Sequence, residues 1–436
     1  MHNLIQIREY SRRRQRFMAS IGPESVALVF ATGEKRRNSD VEYLFRPHSD
    51  FVYLTGFHEP DGLLVLAPGH PTMEEALFVR ARDVAAEQWN GRRLGAERVK
   101  ETLGIENGFT VEEFSEVIPN LIDGRDVLHV DQDVETSHQV DLWLKTMKES
   151  GLAPPQQRVE LEDTLHELRL IKSDTEIETM QEAANISAAA HQRAMRYCNP
   201  GISELALESE LQHEFALRGA RFTAYPSIVA SGPNACIMHY IQNDRTIEDG
   251  DLILIDAGCE YQYYASDITR TFPANGRFTH PQREIYELVL SAQLAAIDQV
   301  RTGHSFTDPH NTSTQVLAQG LIDLGILKGT LDEVLENELA KPFTVHRCSH
   351  FLGLDVHDVG KREIDGEPRT LEPGMVLTVE PGLYFGNAET MPNLDSKWHN
   401  IGIRVEDDVV VTENGNCVLS ANAPKFADDV ESLMAS

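Results

Sequence analysis

With 436 residues, 41% of them hydrophobic and 25% charged, the chain has the composition of an ordinary globular protein and is too long for a single core. Its formal net charge of -30 argues against nucleic acid and anionic membrane as partners, because phosphates would be repelled. Solubility accounts for most of that excess, and the carboxylates with chemistry to do must be picked out one at a time.

At the N-terminus, Ser11-Arg12-Arg13-Arg14 followed by Phe17 faintly resembles a twin-arginine export signal. The stretch after it carries Gly22, Pro23 and Glu24, and the apolar run Val26 to Ala31 is too short for a signal. Ile5 to Ala19 is therefore read as an exposed basic helix. The runs at 26–30, 51–54, 63–66 and 127–130 read as strands, and 112–122 and 140–150 as helices. That alternation predicts an N-terminal α/β domain with a largely buried sheet.

Gly151 to Gln157, with Pro154-Pro155, reads as a linker. Leu161 to Ile171 follows as a short helix. Ser173-Asp174-Thr175-Glu176 then gives a capping box that opens a helix to about Tyr197. These signals divide the chain into a domain over 1–172 and a second over 173–436. In the second, helices at 204–218, 281–302 and 313–324 mix irregularly with strands at 252–255, 375–379 and 401–412, which predicts an α+β fold. Nowhere do the roughly 18 to 20 consecutive apolar residues needed to span a bilayer occur. The five cysteines, at 198, 236, 259, 348 and 417, are odd in number and form no CxxC pair. They predict reduced thiols and a cytoplasmic location.

The carboxylates of interest lie in the second domain. Asp256 follows the strand Leu252 to Ile255, and Asp267 lies within Tyr264 to Phe272, which alternates as one strand. A hairpin turning between them would set the two side chains opposite each other on one face. Two carboxylates so close repel unless a proton or cation lies between them. Glu406 shares a face with Arg404 in the strand that starts at Ile401, and Glu380 ends a strand before Pro381-Gly382. Glu372-Pro373-Gly374 precedes its strand and is read as turn chemistry only. His346, His350 and His357 crowd one Gly-containing stretch, and His239 lies apart in Cys236 to Tyr240. An isolated residue of any of these kinds is usually a cap, a solvated face or a satisfied histidine. As a set, two Asp, two Glu and one His make a hard, oxygen-rich site that suits a pair of Mn²⁺ or similar ions. His166-Glu167-Leu168-Arg169-Leu170 lacks the second histidine of a zincin motif.

Five segments, in order, carry a family resemblance: Leu254 to Gly258, Ser266 to Phe272, Ser349 to Asp358, Thr378 to Gly382 and Gly402 to Asp407. They resemble the metal-binding segments of the M24 metallopeptidases, most nearly those of aminopeptidase P (Xaa-Pro aminopeptidase). Ser49 to Phe57 and Trp89 to Gly95 resemble first-domain segments of the same family. The resemblance implies a C-terminal pita-bread domain behind a smaller creatinase-like α/β domain. It implies that Asp256 chelates one of two divalent ions, Mn²⁺ first among the candidates, that Asp267 and Glu406 bridge both, and that His350 and Glu380 bind the other.

It further implies substrate contacts for His239, His346 and His357, a site arginine in Arg404, and supporting contacts from Tyr384. The implied reaction removes the first residue from peptides with proline second, through a hydroxide activated by the metal pair, with Glu380 passing a proton to the departing nitrogen. A homo-oligomer, dimer or tetramer, is expected, with Asp50, Trp89 or their neighbours reaching another subunit's site. Two alternatives stay open: an Xaa-Pro dipeptidase (prolidase), which shares all five ligands, and an inactive M24 domain that binds peptides or proteins. Methionine aminopeptidase lacks a first domain of this size, and creatinase shares the fold without the metals.

Overall fold

The computed structural model describes residues 5–131 and 134–436 and falls into two units, Ile5–Arg169 and Leu170–Ser436. The first runs α1 (Ile7–Ile21), β1 (Ser25–Phe30), an exposed ribbon β2 (Arg36–Asn38) and β3 (Val41–Glu42), α2 (Ser49–Thr55), β4 (Leu63–Leu66) and β5 (Glu75–Val79). It continues with α3 (Val84–Asn90), α4 (Val99–Leu103), β6 (Asn107–Thr110), α5 (Phe114–Ile122), β7 (Val127–Val130), α6 (Val134–Glu149), β8 (Gln157–Val159) and α7 (Glu162–Leu170). Six strands form one mixed sheet in the order β6-β5-β4-β1-β7-β8. Its apolar side chains, among them Val26, Leu28, Val65 and Phe78, pack against Leu121, Trp143 and Met147 of α5 and α6. The expected α/β domain is present.

Three expectations for this unit are corrected. Residues 51–54 are helical, inside α2, where every side chain is buried. A segment buried all round has no period to distinguish helix from strand. Gly56, at φ +62, caps the helix in a left-handed conformation, and a Cβ there would lie 2.5 Å from the Tyr10 ring. Second, α1 is not simply exposed, since Arg13 and Arg14 are buried. Arg14 donates to the carbonyls of Leu54 and Gly104 and to Glu75, and Arg13 to the carbonyl of Tyr53. Third, Asp50 does not reach outward. It is buried, 2.7 Å from Arg169 and 3.2 Å from His166; burial would raise its carboxyl, but the Arg169 charge and the His166 hydrogen bond together hold it below the usual range. Trp89, in contrast, is 87% exposed.

The second unit opens with α8 (Asp174–Tyr197), capped by the Ser173/Glu176 box as expected, and α9 (Glu204–Leu217). Strands β9 (Phe222–Thr223), β10 (Ile228–Ser231), β11 (Leu252–Asp256), β12 (Cys259–Tyr261), β13 (Tyr264–Ala265) and β14 (Thr269–Pro273) follow. Then come α10 (His280–Ile297), α11 (Asp308–Asp323), α12 (Leu331–Glu336) and a ribbon of β15 (Glu363–Ile364) with β16 (Glu367–Pro368). The unit closes with β17 (Val376–Val379), β18 (Gly382–Phe385), β19 (Ile401–Arg404), β20 (Asp407–Thr412), β21 (Gly415–Val418) and α13 (Ala427–Met434). Helices and strands are mixed without regular alternation, as an α+β fold requires.

Val229, Ile253, Ile255 and Phe272 pack on α8 and α9 through Ala190, Ala194, Leu207 and Phe215. Leu383, Ile403 and Val405 pack on α10 and α11 through Ile285, Val289 and Leu317. Apolar side chains thus hold the helices to the strands and leave the strand ends for polar groups.

The strands expected at 264–272 and 401–412 are each two strands. Strand β14 pairs with β11, whereas β13 pairs with β12 in a different sheet. Likewise β19 pairs with β18 and β20 with β17. Each break lets one hairpin pass from one sheet to another, and the breaks fall at 266–268, 380–381 and 405–406.

Candidate active site

Asp267, Glu380 and Glu406 each occupy one of those breaks, and Asp256 is the last residue of β11. In a continuous strand successive side chains alternate between faces. At a break the backbone is released from that alternation, so a carboxylate there can turn toward the point where the sheets meet. Val379 pairs with Asp407 and Gly382 with Arg404, which sets Glu380 across from Glu406. The other hairpin differs from expectation in register. Asp256 pairs with Thr269, so Asp267 lies diagonal to it, and the turn falls at Gln262 and Tyr263, both at positive φ. The hairpin can come this close only because residue 258 is glycine: a Cβ there would lie 1.7 Å from the Ser266 carbonyl oxygen.

Asp267, His350 and Glu406 are buried and present donor atoms within 4.8 Å of one another, close enough to hold a metal ion. His350 Nε2 is 3.3 Å from Asp267 Oδ2 and 3.6 Å from Glu380 Oε1, and its Nδ1 lies 3.0 Å from the Phe351 carbonyl. The stretch carrying His350 lies along β17, through the N–H of Thr378 to the His350 carbonyl at 2.9 Å and of Glu380 to that of Cys348 at 2.8 Å. Arg404 is the fixed cation, with Nη2 2.5 Å from Asp256 Oδ2, Nε donating to the Thr269 hydroxyl at 3.0 Å and Nη1 to Tyr384 at 2.8 Å. Thr269 in turn donates to Glu406 at 2.6 Å.

The electrostatics are those of too many carboxylates for the cations at hand. Burial, the like charges of Asp267, Glu380 and Asp256 adding to it, drives Glu406 well above the usual range. Burial also raises Glu380 to about 7 and lifts Asp256. Burial would raise Asp267, but the hydrogen bond and charge of His350, with Tyr225 and Arg404, together hold it below its ordinary value. Burial alone would lower His350, but Asp267 and Glu380 raise it to about 9. Without another cation the cluster must take up protons. Four carboxylates and one imidazole are donors that hard divalent ions favour, so the residues present fit a metal.

His346 Nε2 lies 2.7 Å from the Tyr384 hydroxyl and Nδ1 3.4 Å from Glu380. Burial and then Arg404 lower His346 to about 4, leaving it neutral. His357 stacks edge-on to His350, with ring centroids 4.5 Å apart. His239 is exposed on the loop after β10, within electrostatic reach of His346 and His357. Whereas Asp50 and Trp89 belong to the first unit, the carboxylates and histidines singled out in the second domain therefore gather here. One that spacing did not reveal is Tyr225, whose hydroxyl lies 2.6 Å from Asp256 and 2.5 Å from Asp267. It stands 31 and 42 residues before them, and its only local signal is an extended backbone before Pro226.

Comparison with known proteins places this arrangement. The sequence profile of metallopeptidase family M24 matches residues 178–413, and that of the aminopeptidase P N-terminal domain matches residues 10–130. The chain is 44% identical to the Xaa-Pro aminopeptidase of Haemophilus influenzae, over 98% of this chain and 97% of that protein. It is also 44% identical to that of Escherichia coli, over 99% and 98%. Among solved structures, the aminopeptidase PepP of Pseudomonas aeruginosa superposes with a TM-score of 0.96 at 46% identity, covering 99% of this chain and 98% of that one. Aminopeptidase P from Escherichia coli with the inhibitor Pro-Leu gives 0.95 at 44% identity, with the same coverage. The second unit accordingly holds the pita-bread fold, and the chain belongs to metallopeptidase family M24, with an aminopeptidase P N-terminal domain ahead of the peptidase domain.

Proposed function

We propose that this protein is a metal-dependent Xaa-Pro aminopeptidase, removing the first residue from peptides with proline in the second position. The observation that carries the reading is the buried cluster of Asp267, His350 and Glu406, with Asp256 joined to it through Tyr225 and Glu380 3.6 Å from His350, in a chain 44% identical to Xaa-Pro aminopeptidases over nearly its full length. Asp256 would hold one of two divalent ions, Asp267 and Glu406 both, and His350 and Glu380 the other, with Mn²⁺ the favoured metal. When bound, such a pair supplies Lewis acidity toward the scissile carbonyl and lowers the pKa of the attacking water.

The chain's own residues do the rest. Tyr225 holds Asp256 and Asp267 at a fixed separation, and Arg404 offsets the negative charge of Asp256. Glu380, whose carboxylate lies 3.4 Å from His346, would relay a proton to the departing proline nitrogen. His346, kept neutral and held by Tyr384, presents an imidazole to the substrate, and His239 and His357 donate to the oxygen on which charge develops.

The deciding experiment offers a Xaa-Pro-Xaa tripeptide and a Xaa-Pro dipeptide to protein stripped of metal and then given Mn²⁺. Tripeptide cleavage that appears only with metal is the expected result. Preference for the dipeptide alone would make the protein a prolidase, and inactivity on both with metal bound would leave a peptide-binding module.

Tyr43 and Leu44, adjacent in the chain, and Val84 and Trp89, both on α3, are each at least 58% exposed, and such exposed apolar side chains accord with a dimer or tetramer. Light scattering on the eluting protein would measure its mass directly. A cytoplasmic location accords with five unpaired thiols, and no helix among the described residues is long and apolar enough to cross a membrane.

A further inference from the structure

Residues 237–245, which carry His239, belong to no helix or strand among the described residues, so no ladder of backbone hydrogen bonds holds them. Two buried side chains do so instead. Glu204, the first residue of α9, has no exposed surface, and its carboxylate accepts five hydrogen bonds. One oxygen takes the N–H and the hydroxyl of Ser231, both at 2.7 Å, and Nδ2 of Asn234 at 3.1 Å. The other takes the Tyr240 hydroxyl at 2.7 Å and the Arg245 N–H at 2.9 Å. These donors bracket the loop: two precede it, one is the residue next to His239, and one ends it.

Asn243 is the second tie. It is buried in the left-handed region at φ +49, which asparagine tolerates better than most residues. Its side chain accepts the Val229 N–H at 3.0 Å and donates to the Ser227 carbonyl and to Glu208, both at 2.9 Å. The guanidinium of Arg245 reaches Ser231 and Asp251, not the Glu204 carboxylate. The charge of Glu204 is therefore met by neutral donors aimed at fixed points, an arrangement that holds a loop in one conformation.

We propose that Glu204 is a positioning residue: through Tyr240 it fixes where His239 stands relative to the substrate. This rests on the substrate-contacting role given to His239 above. An ångström of misplacement of such a group lowers rate by one to two orders of magnitude.

The test is Glu204→Gln and Tyr240→Phe, each alone and combined with His239→Ala, assayed on a Xaa-Pro-Xaa tripeptide with Mn²⁺. Each single change is expected to lower kcat/KM about 10-fold, and neither should cost anything further once His239 is alanine. Losses that simply add, or a His239→Ala protein as active as the wild type, would overturn the proposal. Tyr240→Phe removes one hydroxyl only and carries the test should Glu204→Gln fail to fold.

Hydrogen–deuterium exchange gives a readout that needs neither metal nor turnover. Residues 237–245 should exchange faster in both variants while 252–256 and 401–412 stay unchanged, and unaltered exchange in the loop would refute the role. An inactive wild type would sink the aminopeptidase reading, yet the exchange result would still decide the role of Glu204.

Discussion

Thr269 donates its hydroxyl to the Glu406 carboxylate at 2.6 Å, across 137 residues of sequence. The same hydroxyl accepts from Arg404 Nε at 3.0 Å, so one oxygen carries the pull of the guanidinium to a carboxylate of the candidate metal site. Replacing Thr269 by valine keeps the shape and removes the link. Loss of such a supporting contact typically costs about 10- to 100-fold in metal affinity or activity. Calorimetric titration of Mn²⁺ should register that loss in Thr269→Val, with Thr269→Ser close to the wild type.

The stability of metal-stripped protein should fall between pH 6.5 and 9. His350 has its folded-state pKa raised from 6.5 to about 9, so its contribution is full below 6.5 and disappears as pH rises through 9. Glu380, raised to about 7, works in the same sense up to neutrality. Below 6.5 the sign reverses for His346 and His191, whose pKa values are lowered to about 4 mainly by burial, so 6.5 and 9 are the pH values to compare. Bound metal replaces the protons, so Mn²⁺ should raise Tm more at pH 9 than at pH 6.5. A melting temperature of the stripped protein that is flat over this window would contradict the protonation pattern described.

Gly258→Ala should disable the site from the backbone outward. The added methyl would lie 1.7 Å from the Ser266 carbonyl oxygen, and neither backbone can yield without moving Asp256 or Asp267. Overpacking costs about 1–3 kcal/mol and occasionally more, and the upper end is expected here. Denaturant unfolding would give the loss, and metal titration would show whether the carboxylates still converge.

In the first unit Arg14→Met should destabilise by about 3–5 kcal/mol, the usual cost of breaking a buried ion pair from one side. It removes the partner of Glu75 and the donors to the Leu54 and Gly104 carbonyls. Arg14→Lys should rescue little, because one ammonium cannot reproduce a fork aimed at three acceptors. Thermal unfolding of the three proteins would rank them.

Much of this was legible in the sequence because it is local. The Ser173/Glu176 box announced α8, the apolar run 252–255 announced β11, and Pro381-Gly382 after Glu380 announced the end of β17. Ordered motifs around Asp256, Asp267, His350, Glu380 and Glu406 carried the chemistry and the family with it.

What only the tertiary structure decided follows from burial and sheet crossing. Residues 51–54 look like a strand because a helix buried on every side has no polar face to give it a period. The breaks at 266–268 and 405–406 have no local signal, since a strand leaves one sheet for another only when a second sheet is there to receive it. Tyr225, Thr269 and Glu204 work through partners 27 to 137 residues away, and no spacing rule reaches that far. The sequence by itself determined which groups do the chemistry and where most elements begin. The packing of helices on two broken hairpins decided their separations and register, because hydrophobic burial is non-directional and only the assembled core determines which polar ends meet.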